Sequence, residues 1–137
     1  MGIGWIIAIV IYLVILGLTL FTKPRIIYSD RFLKFISIFM RVGGITLAPY
    51  IILRERYKGT SRGERVINHE LIHIEQQREL LVVPFYVLYV LNFIINIFRM
   101  KPKGPYREII FEKEAYSNER DFDYLKKRKR YNYFKLF

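Results

Sequence analysis

Apolar and polar positions alternate differently along successive stretches of the chain, and the changes set its organisation. Residues 3–22 (IGWIIAIVIYLVILGLTLFT) carry no charge. A helix of that length rises about 30 Å, the thickness of a hydrocarbon core, so the pattern predicts a transmembrane anchor over 1–22. A cleaved signal peptide fits less well: the run exceeds an h-region, no basic residues precede it and no small-x-small site follows. Residues 30–42 (DRFLKFISIFMRV) set Lys34, Ser37 and Arg41 on one narrow stripe. That suggests an interfacial helix, with a strand as the alternative. Gly43-Gly44 breaks the element, and residues 45–57 (ITLAPYIILRERY) read as extended, with Pro49 tolerable only at a sheet edge.

A turn over 58–63 leads to Ser61 and Glu64, spaced as a capping box, so a helix is expected from about 62–64. It runs into a second apolar stretch, 80–98 (LLVVPFYVLYVLNFIINIF), interrupted by Pro84, Asn92 and Asn96. This stretch is also long enough to span a bilayer. Basic residues flank both its ends, among them Arg62 and Arg65 before it and Arg99 and Lys103 after it. A simple span would leave one cluster on the wrong side. The expectation is therefore an embedded segment, kinked at Pro84 or lying in the interface, over a span that breaks the charge rule. Residues 101–105 (KPKGP) are expected to link to a last helix, with Pro105 in its first turn, reaching about residue 130.

Composition sharpens this picture. Apolar residues make up 53% of the 137 and charged residues 26%, with a net charge of +11, and the two classes are segregated in blocks. Lys23, Arg25, Arg31 and Lys34 follow the first apolar helix, which places the N-terminus outside and 23–137 as a cytoplasmic, membrane-associated domain. Anionic headgroups of a lipid bilayer account for the basic clusters better than nucleic acid does, because the charge flanks apolar segments and marks no recognition fold. The aromatic and basic tail (KKRKRYNYFKLF) reads either as a solvated end or as a headgroup anchor. Cysteine is absent, so disulfides, thiolate metal sites and a Cys nucleophile are excluded.

The candidate chemistry lies in the 62–79 helix. Both histidines of the chain sit in His69-Glu70-Leu71-Ile72-His73, an H-E-x-x-H sequence. On a helix the two imidazoles lie about 40° apart and Glu70 about 60° beyond His73. Two metal ligands and an adjacent general base are thereby presented on one side, as hydrolysis by zinc-activated water requires. A third ligand must be Asp or Glu. On the last helix the apolar face runs through Phe111, Ala115, Asn118, Phe122 and Leu125; Glu114 borders it, whereas Glu112 points towards solvent. A carboxylate at an apolar border needs a partner, so Glu114 is placed ahead of Glu112 as the ligand of Zn2+. Asn118 and Gln76 are candidates to orient a ligand histidine. Tyr116 is read as pointing away from the site.

These residues resemble a known pattern. H-E-x-x-H followed by Glu114-Ala115-x-x-Asn118 on a second helix is similar to the gluzincin signature of thermolysin-like peptidases. That likeness implies Glu114 as third ligand and Asn118 in place of a supporting acid. The longer stretches GGITLAPYIILR, INHELIHIEQQ and FEKEAYSNE resemble a family of small bacterial membrane proteins carrying HExxH, over about residues 43–130. The resemblance implies a zinc metallopeptidase of the bacterial inner membrane acting on a peptide or protein substrate. The fold expected is mainly α, a minimal zincin-like α+β arrangement with one short extended segment. Residues 45–57 would serve as the edge strand for an extended substrate. The alternatives are a non-catalytic protein with a structural zinc, and a scaffold or lipid-surface binder without metal.

Overall fold

The computed structural model describes residues 2–36, 43–100 and 102–136. The chain is mainly helical around a small three-stranded sheet. Helix α1, Ile3–Phe21, is long and apolar enough to cross a membrane, and almost none of its surface is buried. Its last carbonyls have no partner within the helix, and Arg78 supplies one: Nε donates to Thr19 O and Nη2 to Thr22 O, both at 2.8 Å.

Strand β1 (Arg25–Tyr28) follows, then helix α2 (Asp30–Ile36). The interfacial helix expected over 30–42 is thus seen in its first half, and its remainder lies outside the described residues. The extended segment expected over 45–57 is instead a hairpin of β2 (Gly44–Leu47) and β3 (Tyr50–Leu53), turned at a cis Ala48-Pro49 bond. Pro49 falls in the turn, where its missing N–H breaks no ladder. Strand β3 is central, parallel to β1 and antiparallel to β2. Its Ile51 and Leu53 are fully buried against Ile74.

Helix α3, Ser61–Glu79, carries HExxH. Its cap is Thr60, whose hydroxyl accepts from Gly63 N at 3.0 Å, one residue before the Ser61 expected from the capping box. Gly63 is required here, because a Cβ would overlap the Tyr57 carbonyl oxygen. Helix α4, Val83–Phe98, does not continue α3: the axis turns by 113°. The break lies at Leu81 (φ 57) and Val82 (φ 66), both left-handed, and not at Pro84. Pro84 sits in the first turn of α4, where no N–H is needed. Asn92 and Asn96, which interrupt the apolar run, point inward; Asn92 Oδ1 accepts from Ile110 N at 2.8 Å and Asn96 Nδ2 donates to Pro105 O at 3.1 Å. They fasten the loop that leads to the last helices.

The single helix expected from 105 to about 130 is instead short and segmented. Helix α5 covers Ile110–Asn118, helix α6 covers Tyr124–Lys127, and a 3-10 turn closes at Asn132–Leu136. Phe122, placed on the buried face by a continuous helix, is 59% exposed. The tail folds back at one point, burying Tyr133 on Phe111 with ring centroids 4.8 Å apart. Helix α5 is therefore covered on two sides, by α3 and by the returning chain.

Candidate metal centre

Helix α3 presents His69, Glu70 and His73 on its buried side, as the spacing requires. The Nε2 atoms of the two histidines lie 3.2 Å apart. The carboxylate that meets them is that of Glu112, with Oε2 3.3 Å from His69 Nε2 and Oε1 3.2 Å from His73 Nε2. Ligands held about 2.0 Å from a tetrahedral ion sit roughly 3.3 Å from one another. The three side chains are all buried and could hold a metal ion. Glu112 Oε1 accepts from Tyr89 OH at 2.7 Å, while Oε2 is buried without a hydrogen bond. A buried carboxylate oxygen left in that state is costly unless a cation or proton meets it.

The outer nitrogens fix the histidines in the form a metal needs. His69 Nδ1 bonds Glu119 Oε2 at 3.0 Å, and His73 Nδ1 bonds Gln76 Oε1 at 2.7 Å. Glu119 can only accept. Gln76 must also accept, because its amide NH2 is committed to Phe111 O at 3.1 Å and Glu114 Oε2 at 2.8 Å. Each Nδ1 therefore carries a proton, which leaves each inward Nε2 to meet either a metal ion or a second proton.

Glu114, the expected third ligand, is one layer further out. Its carboxylate takes Tyr124 OH at 2.7 Å and Arg128 Nε at 2.7 Å, besides Gln76. Arg128 is the charged partner of this carboxylate, and Glu114 is not among the three side chains whose ligand atoms converge. Glu112, read as solvent-facing, is 2% exposed because α5 has no solvent face at that position. Asn118 does not support a histidine: its Nδ2 donates to Glu114 O, and its carbonyl accepts from Asn68. Gln76 does hold one of the two histidines, His73, through its Nδ1. Tyr116 packs on the His69 ring with centroids 4.6 Å apart, so it borders the site after all.

Glu70 is held beside the centre by β2. Its Oε2 accepts from Thr46 Oγ1 at 2.7 Å, and it lines the clefts that also expose His69 and His73. Gly44 makes this approach possible, since a Cβ there would stand 2.7 Å from Leu53 Cδ2 and 3.3 Å from Glu70 Oε1. Two further residues were not singled out from sequence. Glu119 lies at the end of α5, and only its spacing from the HExxH helix in space reveals it. Tyr106 precedes α5 and lines both clefts with Glu70. Burial, and then the Glu112 charge, push the Tyr106 phenol up, so it remains a hydrogen-bond donor.

Burial alone would lower the His69 pKa, but the adjacent Glu112 carboxylate, the hydrogen bond to Glu119 and the charge of Glu70 outweigh it and raise it from 6.5 to about 10. Burial likewise opposes ionisation of Glu112, and the His73 and His69 charges overcome it, holding the carboxyl well below its ordinary range. The signs follow by linkage. In the metal-free protein the raised His69 stabilises fully below pH 6.5, and its contribution is lost as pH rises through about 10. The depressed Glu112 stabilises above its ordinary 4.5 and is lost as pH falls. A metal ion competes with the His69 proton, so its apparent affinity should rise about tenfold per pH unit between pH 6 and 8 for one proton displaced. Titration with a competing chelator at several pH values measures this; a flat profile would mean that no proton leaves this cluster.

No family model, no curated protein and no solved structure matches this chain.

Proposed function

We propose that the protein is a membrane-bound zinc metallopeptidase. The observation that carries the reading is the joint geometry of the inward Nε2 pair, the Glu112 carboxylate with its orphan oxygen, and Glu70 in the adjoining cleft. Two imidazoles and a carboxylate at tetrahedral spacing suit zinc, and three protein ligands leave a position for water or substrate. When bound, zinc supplies Lewis acidity, polarising the substrate carbonyl and making water acidic near neutral pH. Glu70 accepts the proton of the attacking water and passes it to the leaving amine. Thr46 holds the Glu70 carboxylate in place through its hydroxyl. Tyr106, which lines the same clefts as Glu70, is the candidate donor to the developing oxyanion.

Strand β2 supports a peptide substrate. Arg54 N bonds Gly43 O, and the antiparallel alternation then turns the main-chain groups of Gly44 and Thr46 away from β3. Thr46 O is already met there by Tyr86 OH at 3.0 Å. An extended chain can pair along this edge next to Glu70. The exposed apolar surfaces of α1 and α4, with Val87, Val90 and Leu91 among them, support residence in a bilayer, with the N-terminus outside by the charge rule.

A structural zinc would be closed by a fourth protein ligand, and among the described residues the cluster offers three. Glu70→Gln separates the readings. It should retain zinc while hydrolysis of a quenched-fluorescent peptide library falls by about 10²–10⁴-fold. Cleavage at the wild-type rate in that variant would rule Glu70 out as the base.

A further inference from the structure

The centre opens on one side into a basin of about 760 Å³ lined by six arginines, Arg54, Arg56, Arg62, Arg65, Arg107 and Arg120. Glu119 is the one carboxylate that lines it among the described residues; its Oε2 is engaged by His69 and its Oε1 lies 3.9 Å from Arg65 Nε, so one carboxylate faces six guanidinium groups. Several guanidinium groups are splayed on aromatic rings: Arg62 lies 5.5 Å from the Tyr57 centroid and Arg107 4.6 Å from that of Tyr116. A stacked guanidinium keeps its N–H edges available for an anion. Like charges gathered in this way repel one another, which a bound polyanion would relieve.

The basin is continuous with the reactive centre. It shares Gly43, Val66, Tyr116 and Glu119 with the cleft at His69 and Glu70. That cleft in turn shares Gly44, Glu70 and Tyr106 with a pocket of about 150 Å³ whose walls include Ile45, Phe85 and Tyr86. An apolar cavity of roughly that volume holds one benzene ring. Cationic basin, centre and apolar pocket thus follow one another from Gly43, just before β2, to Thr46 within it.

We propose that the substrate is an acidic polypeptide segment: carboxylates on one side of the scissile bond lie in the arginine basin, and an apolar side chain on the other side fills the pocket. This rests on the peptidase reading. A lipid headgroup is disfavoured by position. The basin is at the N-terminal end of α3, where Arg62 stands about 24 Å along the helix from Arg78, which grips the end of α1.

The test is fluorescence anisotropy with zinc-loaded full-length Glu70→Gln protein in a non-ionic detergent. The probes are two labelled dodecapeptides with a central Phe, one carrying four glutamates on one side and the other four glutamines. The acidic peptide should bind at least tenfold tighter at 50 mM salt, with the gap narrowing at 200 mM. Adding Arg62→Glu and Arg120→Glu should abolish the preference while zinc content and melting temperature hold. If that double variant does not fold, Arg62→Gln, at an exposed position in the first turn of α3, should reduce the preference. Equal binding of the two peptides overturns the proposal, as does a preference that survives loss of the arginines. So does a defect of the arginine variants confined to phosphatidylglycerol vesicles. Cleavage by the wild-type protein is scored separately. Acidic preference without cleavage sinks the peptidase reading and leaves the basin; cleavage without preference does the reverse.

Discussion

Glu112→Ala is expected to abolish stoichiometric zinc binding. Among the described residues, the Glu112 carboxylate is the one that lies within 3.3 Å of both inward imidazole nitrogens. Removing an outer partner of a metal ligand typically weakens affinity 10–100-fold, and removing the ligand itself should cost more. Glu112→Gln sharpens the test, because it preserves shape and an acceptor for Tyr89 OH while removing the charge. It too should lose zinc. In both variants the imidazoles lose the charge that raises their pKa, so the metal-free protein should also lose its extra stability near pH 5–6. Metal analysis after dialysis, with melting curves at pH 5.5 and 8, measures both effects. Full zinc occupancy in Glu112→Ala would remove Glu112 from the centre.

The choice between two glutamates separated by one residue shows what the sequence could and could not reveal. HExxH fixes the relative directions of His69, Glu70 and His73 through helix geometry alone, and these three stand where the pattern put them. Assigning the third ligand required knowing which surroundings α5 has. The helical count assumed one buried face and one wet one. The chain after Asn118 folds back over α5, so Glu112 and Glu114 are both buried, on different sides. The return of the tail is driven by contacts distant in sequence: Arg128 reaches Glu79 and Glu114, and Tyr133 reaches Phe111. No local periodicity encodes such pairing. The same holds for the hairpin. Pro49, expected to be tolerable only at a sheet edge, sits in the turn between two paired strands, and the sheet's third strand, β1, comes from a distant part of the sequence. The apolar run of α1, by contrast, was legible from length and composition alone.

Glu114→Ala should behave oppositely to Glu112→Ala: a large loss of stability with a smaller loss of zinc. Arg128 is buried, its side chain 4% exposed, between Glu114 and Glu79, with Nη1 2.6 Å from Glu79 Oε1. Deleting one carboxylate of such a pair leaves a guanidinium partly uncompensated and typically costs about 3–5 kcal/mol. It also strips the buried hydroxyl of Tyr124 of its acceptor and the amide of Gln76 of one of its two. For a chain of this size the melting temperature should fall by on the order of 10 °C. Zinc should weaken only as far as Gln76 loses its orientation on His73, about 10–100-fold. Arg128→Met, which removes the charge from the other side, leaves two buried carboxylates facing each other and should be at least as destabilising at neutral pH. Combining Glu114→Gln with Arg128→Met should recover part of the loss, because the unpaired charge is reduced to that of Glu79. Zinc lost entirely from Glu114→Ala at an unchanged melting temperature would return Glu114 to the position of ligand and displace Glu112.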